Sequence, residues 1–469
     1  MRRFIGIFVF FLLNQPYAYG QVDSLRVLKE EEFIATVKQF HPLAKQGALL
    51  VDIAKAELTA IRGGFDPIFQ TGNERKTFYG ENYYNYTFGE LTVPTWYGVE
   101  IKGGFENNFG NFIDNELTVG RSSYLGLTLP LIKNLVIDKR RAALQQAKLF
   151  SQQSEYEKKI IINNLLLDAY HAYWNWAKDF KIYNLFANAV ELNRQRLSLI
   201  KISFEQGDRP GMDTVEAISQ LQNLQQQKTE ALLKFNKSSL ELSNFLWTGS
   251  EEPAYISNNV IPDSIWAGIN LEALELDGLD KWLEHTLNRH PKIQSLNLKI
   301  SNLEVDRKLK FQDLLPKLDL KYNFLQKGYE PWKNINTSLL DNNYKLGFNF
   351  SIPLFLRKGR GEWASAKLKL RNVSLERQQQ RLEIENKIRY YYSEITSLKQ
   401  QSSYLQNAYI NYQKLFDLEI LRYGLGETSL FILNSRQNQL LFQLQKLLEV
   451  KAKFFMAQAS LQWAAGRLE

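Results

Sequence analysis

Cysteine is absent from the 469 residues, and histidine occurs only 4 times. The first absence excludes a disulfide framework, a Cys-ligated metal site, a thiol nucleophile and an acylated-cysteine anchor. The second leaves little for imidazole ligation or acid–base chemistry. Two of the four, His41 and His290, precede proline at helix starts and read as structural. G-x-x-x-x-G-K, H-E-x-x-H and G-x-S-x-G are all missing, and Gly424-Leu425-Gly426 lacks the strand and later glycines of a dinucleotide loop. The expectation is a protein that is not an enzyme and that uses no cofactor and no metal. Beyond the first twenty residues no stretch approaches 18 uncharged apolar residues, so no helical membrane span is expected.

Hydrophobic residues make up 44% of the chain, which excludes wholesale disorder, and length alone suggests roughly three domains. The net charge of +8 (58 Lys+Arg against 50 Asp+Glu) suits nucleic acid, a phospholipid surface or nothing specific. Arg2-Arg3, the apolar run Phe4 to Leu13 and Ala18-Tyr19-Gly20 follow one another as the parts of a signal peptide over residues 1–20. Cleavage after Gly20 would leave 8 − 2 = +6, because Arg2 and Arg3 are the charges removed. Export argues against a nucleic-acid partner and leaves a soluble or a β-type membrane protein.

The remaining chain repeats itself. Phe40-His41-Pro42 returns as Arg289-His290-Pro291, an offset of 290 − 41 = 249, and Pro67 returns as Pro316 at the same offset. Leu129-Pro130-Leu131 returns as Ile352-Pro353-Leu354 (353 − 130 = 223), and Gly207 as Gly426 (426 − 207 = 219). Ordered landmarks predict an internal duplication: a first repeat over 21–248, an equatorial linker over 249–274 and a second repeat over 275–469. The first repeat carries 249 − 223 = 26 extra residues in its alternating region.

Each repeat holds a stretch without Pro or Gly, about 137–205 and about 362–422, with apolar residues every three to four positions. At 1.5 Å per residue the first reaches roughly 105 Å, too long for a compact globule. Such helices must pack side by side as a coiled coil or helical tube. The return helices, about 213–245 and 429–464, cover half of each partner. The leading helices, about 42–62 and 291–313, fill the other half. Leu318, Leu320, Tyr322 and Phe324 alternate with Lys317, Asp319, Lys321 and Asn323. Tyr344 to Ile352 and Val99 to Phe105 alternate likewise, in the length and pattern of transmembrane β-strands or of a half-solvated soluble sheet. The extra residues read as a hairpin, with Tyr84, Tyr86 and Phe88 descending and a turn at Val93-Pro94-Thr95-Trp96. The first repeat then has four strands, or two spanning strands and a short accessory hairpin. Four to six strands cannot close a barrel, and an open edge in lipid is forbidden, so copies must share one.

Duplicated strand–helix units with these helices resemble the outer-membrane efflux proteins of the TolC type. Phe204-x-x-Gly207 followed by Asp213-Thr214-Val215-Glu216-Ala217 is similar to that family's aromatic-x-x-Gly and Asp-Val-Leu-x-Ala pattern. Tyr423-x-x-Gly426 followed by Ile432-Leu433-Asn434-Ser435-Arg436 matches less well. Gly64-Phe65-Asp66-Pro67 resembles the helix-to-strand entry of one branch. The resemblance implies an α+β membrane protein: a β-barrel shared between protomers in the outer membrane and a long α-helical coiled-coil barrel in the periplasm. It implies a homotrimer that is a passive exit duct of a tripartite efflux or type I secretion system. Its partners would be a periplasmic adaptor, an inner-membrane RND or ABC pump and outer-membrane lipids. The alternative is a periplasmic or secreted coiled-coil interaction protein without channel activity.

Candidate sites follow from the tips and the membrane edge. Phe204, Gly207 and Asp208, with Tyr423, Gly426, Glu427 and Thr428, are expected at the tip where an adaptor docks. Asp213, Glu216, Ile432 and Ser435 are the constriction candidates. Acidic residues at the first pair also suit a helix dipole, and the second pair lacks the family's acidic constriction. Lys139, Arg140 and Arg141, with Arg357, Lys358 and Arg360, sit just after the second strand of each repeat and read as solvated helix starts or as contacts to lipid phosphate. Tyr79, Tyr83, Tyr84, Tyr86, Trp96 and Tyr97 read as an interfacial belt or a turn cluster. Tyr170, Tyr173, Trp174 and Trp176 read as helix packing.

Overall fold

In the computed structural model, residues 25–114, 117–257, 259–329 and 343–468 are described. The signal-peptide segment lies outside them. The chain begins with β1 (Arg26–Leu28), α1 (Glu30–Phe40) and α2 (Pro42–Arg62). Four strands follow: β2 (Ile68–Phe78), β3 (Glu81–Pro94), β4 (Glu100–Phe109) and β5 (Gly120–Pro130). Then come α3 (Lys139–Glu205), α4 (Gly211–Ser243) and β6 (Val260–Pro262). The second half runs α5 (Leu279–Arg289), α6 (Pro291–Gln312), β7 (Lys317–Lys327), β8 (Tyr344–Ser351), α7 (Arg357–Gly424) and α8 (Leu430–Ala464). α5 stands to α1 as α6 stands to α2, at the offset of 249 already seen in the His-Pro pair.

α3 and α7 have 67 and 68 residues, so each is about 100 Å long. α2 and α4 lie against α3, and α6 and α8 against α7, while α3 also meets α6 and α8. The result is a layer two hairpins wide. Two short helices share each long one because a histidine splices their ends. His41 Nδ1 accepts from the Leu43 amide at 3.2 Å, capping α2, and the ring is also hydrogen-bonded to the backbone of Asn244, where α4 ends. His290 Nδ1 accepts from the Lys292 amide at 3.1 Å, and its ring is bonded to the backbone of Ala464, the last residue of α8. α7 starts five residues before the expected 362, taking Gly359 into its first turn. A Cβ there would lie 2.7 Å from the Asp313 carbonyl oxygen, so close approach to the end of α6 outweighs glycine's weak helix propensity.

β2-β3-β4-β5-β7-β8 form one antiparallel sheet in that order, with β2 and β8 as its edges among the described residues. The first repeat therefore supplies four strands, and the extra hairpin is part of the sheet. Its turn reaches back to the helices: Trp96 stacks on Phe65 at 4.5 Å, and Arg141 donates to the Tyr97 carbonyl. The register aligns Phe69, Leu91, Gly103, Leu125, Phe324 and Tyr344 on one face. Ile101, Leu127, Tyr322 and Leu346 continue that apolar face, most of it exposed. The other face carries Glu90, Lys102 and Tyr124, with Glu90 accepting from Lys102 Nζ at 2.9 Å and from the Tyr124 hydroxyl at 2.5 Å. Tyr84, Tyr86 and Phe88 fall on this polar face, opposite Gly72 and its neighbours in the ladder. The six aromatics of the first repeat do not form one belt. Tyr79 and Tyr83 cluster around Phe78 at the far end of the hairpin, and Trp96 and Tyr97 sit at its helix-side turn.

The largest core lies midway down the helices. Trp174 stacks on Phe455 at 4.3 Å and meets Trp266 of the linker edge-on, and the Tyr173 hydroxyl donates to the Leu28 carbonyl. The helix-packing reading of these aromatics agrees with their burial. β1 and β6 pair in parallel beside them, and Lys451 Nζ donates to the Ala267 carbonyl at 2.7 Å. The linker is thereby strapped across both repeats.

Candidate functional site: the hairpin tips

Both long helices end in the same way. Gly207 and Gly426 have φ of 82° and 77°, left-handed backbone that glycine adopts without a Cβ penalty. The Asp208 amide bonds the Ser203 carbonyl and the Gly207 amide the Phe204 carbonyl; Glu427 to Arg422 and Gly426 to Tyr423 repeat the pattern. This pair of bonds closes a helix end and turns the chain back. Phe204 lies over Gly211, where an added Cβ would come within 3.3 Å of the ring. Asp208 and Glu427 are exposed, with Glu427 near Arg422 at 3.7 Å.

The two tips are joined by layers of contacts. Outermost, the Arg209 guanidinium lies 4.2 Å from the centre of the Tyr423 ring and donates to the Tyr423 carbonyl at 3.1 Å. The same arginine is 3.7 Å from Asp213. Next comes a small apolar core of Ile200, Ala217, Leu430 and Leu433. Behind it, Arg196 donates to Asn434 Oδ1 and Gln437 Oε1 at 3.3 and 2.9 Å. Burial pushes this guanidinium's pKa down. Asn434 in turn donates to Glu216 Oε1 at 3.1 Å, and Gln220 and Asn438 exchange amide bonds. The Tyr423 hydroxyl, Thr214 Oγ1 and Thr428 Oγ1 are buried without a hydrogen-bond partner. A buried unpaired hydroxyl costs about 1–3 kcal/mol, so this clasp is weaker than a fully satisfied junction.

Residues 282–467 match the family model described as outer membrane efflux protein. The matched stretch lies within the second half of the chain. Solved structures extend the likeness to the whole fold. The Campylobacter jejuni CmeC outer membrane channel aligns at a TM-score of 0.64 and 15% identity, over 93% of this chain and 85% of that one. The Vibrio cholerae outer membrane protein VceC aligns at 0.63 and 12%, over 93% and 95%. The open state of the Neisseria gonorrhoeae MtrE outer membrane channel aligns at 0.64 and 12%, over 94% and 89%. No curated protein matches the chain by sequence.

Within the matched stretch, Ile432 is exposed beside Phe431, and Ser435 lines a groove with Glu216 and Gln220. Asp213 and Glu216 of the first hairpin are both engaged, by Arg209 and Asn434. The four constriction candidates thus lie at one end of the molecule, the acids in the clasp and Ile432 outside it. Sequence reasoning missed Arg209 and Arg196. Their partners lie more than 200 residues away, and no local pattern marks them.

The membrane-edge candidates divide. Arg140 pairs with Glu100, and Arg141 is held by Asp138 at 2.8 Å and by the carbonyls of Asn134 and Leu135. Lys139, Arg140 and Lys358 line a cavity with Glu100, Asp313 and Asp319 on the polar-face side of the sheet. Arg357 lies over the Phe355 ring at 5.2 Å, and Arg360 is exposed.

Proposed function

We propose that the chain is one protomer of a homotrimeric, passive duct through the outer membrane, with its helices in the periplasm. The observation that carries the proposal is the coincidence of two free flanks. One flank has the open edge β2 and, below it, α2 and α4; the other has the open edge β8 and α7. Both helical flanks expose apolar residues: Leu49 and Ile53 on α2, Leu233 and Leu240 on α4, Leu368, Leu375 and Leu382 on α7. A head-to-tail neighbour satisfies the strand edges and the apolar stripes together, and a closed ring leaves no edge in lipid. With six strands each, three copies give 3 × 6 = 18 strands. The apolar face then meets lipid, and the face bearing Glu90 and Lys102 lines the duct.

The tip clasp is the gate. Opening separates the second hairpin from the first, and the unpaired hydroxyls lower the cost of doing so. Docking of an adaptor on Phe204, Gly207 and Asp208 and on Tyr423, Gly426, Glu427 and Thr428 supplies that work, in service of an inner-membrane RND or ABC pump. Cargo is drug-like solute in a tripartite efflux system or protein in a type I secretion system. Outer-membrane fractionation, a heat-labile trimer on a gel and single-channel conductance in planar bilayers test the duct. A water-soluble, non-conducting monomer would overturn it. Crosslinking at the tips identifies the pump.

A further inference from the structure

We infer that each protomer carries a headgroup site for an anionic glycerophospholipid where its helices leave the sheet. The inference rests on the membrane reading above. A groove of about 560 Å³ lies over α6, between the start of α3 and α7. Three cations line it: Arg307 and Lys308 from α6 and Lys367 from α7. No carboxylate does, and none of the three is in an ion pair among the described residues. The floor is apolar, with Val136, Phe311 and Trp363. Lys367 Nζ lies 4.2 Å from the centre of the Trp363 ring, so its charge is already placed at the groove.

The side on which this groove opens decides its ligand. α6 separates it from the cavity lined by Glu100, Thr128, Lys317 and Asp319, residues of the polar sheet face. The groove therefore opens on the apolar side, which meets lipid. Trp363 and Lys367 lie within the first turns of α7, soon after Ile352, Leu354 and Phe355 in the sequence, all three exposed. The groove therefore lies at the helix side of the sheet, where headgroups of the proposed bilayer would be. An indole beside cations at that depth matches the two ends of a phospholipid: phosphate for Arg307, Lys308 and Lys367, acyl chain for Trp363, Phe311 and Val136. The cation clusters next to the strands do not compete, since Arg140, Arg141 and Lys358 serve or face the other side.

The test uses delipidated trimer in detergent titrated with phosphatidylglycerol, with phosphatidylcholine, and with inorganic phosphate. Phosphatidylglycerol carrying brominated acyl chains should quench Trp363 saturably, read as the difference between wild type and W363F. The R307Q/K308Q/K367Q variant should bind about a hundredfold more weakly while remaining trimeric. Equal binding of both phospholipids, equal affinity in the variant, or competition by millimolar inorganic phosphate alone would each overturn the inference. Conductance of the same preparation separates the two claims. Conducting trimers without selective binding sink the lipid site alone, whereas selective binding by a non-conducting protein supports the site and sinks the duct.

Discussion

Acidification should unstitch the histidine splices, and His290 allows the size to be worked out. Its ring must be neutral, because Nδ1 accepts the Lys292 amide. Burial first, then Lys387 of α7 and its own neighbour Lys292, lower its pKa to about 4, against partial opposition from the bond to Ala464. The folded value lies below the unfolded value of 6.5, so the unfolded state takes up the proton first. Stability from this ring is therefore complete above about pH 6.5 and is lost as pH falls towards 4. A shift of about 2.5 units is worth roughly 3.4 kcal/mol per protomer when complete, and roughly 2 kcal/mol is lost by pH 5. Carboxylates titrate over the same range, so the variant His290→Asn provides the reference: asparagine caps a helix and does not ionise. Hydrogen exchange of the first turn of α6, followed by mass spectrometry from pH 7.5 to 4.5 with intrinsic rates corrected, reads the local opening. The wild type should lose protection faster with acid than His290→Asn by a factor of about thirty at pH 5. Identical acid slopes in the two proteins would refute the splice. His41, lowered by burial alone, should act in the same direction at α2.

Other substitutions probe the tip and the linker. Arg209→Ala removes the ring and carbonyl contacts to Tyr423, and should weaken the clasp by about 1–2 kcal/mol. Higher open probability with normal trimer on a gel is the expected result. Gly207→Val and Gly426→Val force a β-branched residue into left-handed backbone at a cost of at least about 1 kcal/mol. Both should reduce crosslinking to the adaptor or tip opening more than trimer assembly. Lys451 is buried and its pKa is pushed down by burial, with the Ala267 carbonyl as its acceptor. Lys451→Met should leave thermal stability unchanged or raise it, and a large loss would show that the ammonium–carbonyl strap to the linker outweighs the cost of burying the charge.

The long helices were legible because nothing interrupts them. With no Pro or Gly from 137 to 205, helix is the state that satisfies every backbone group, and α3 follows within two residues. The tips were legible for the opposite reason: a glycine just after each long helix, Gly207 and Gly426, marks the left-handed turn, and both adopt it. Strand positions were legible from alternation, but not the face that Tyr84, Tyr86 and Phe88 take. Alternation fixes which residues share a face; the register to β4 decides which face, and it places them beside Glu90 and Glu106. The basic clusters were legible only in position. Their spacing after the strands was visible, but the side on which they emerge depends on how α6 seats against the sheet.

The two hairpins, alike in the backbone of their tips, are unequal in the side chains of the proposed gate. The first hairpin contributes Arg196, Arg209, Asp213 and Glu216, and the second answers with Tyr423, Asn434, Gln437 and Asn438, none of them ionised at neutral pH. Charge is thus confined to one side of the clasp and paired or hydrogen-bonded there. In the proposed opening the second hairpin keeps its own charges together, Arg422 lying 4.0 Å from Glu419 and 3.7 Å from Glu427, and Arg209 stays beside Asp213. Opening therefore exchanges amide, carbonyl and ring contacts for water without stranding an ion. That keeps the transition within reach of the free energy of one docking event and makes it only weakly dependent on salt. A strongly salt-dependent open probability would point instead to ion pairs between protomers as the main restraint.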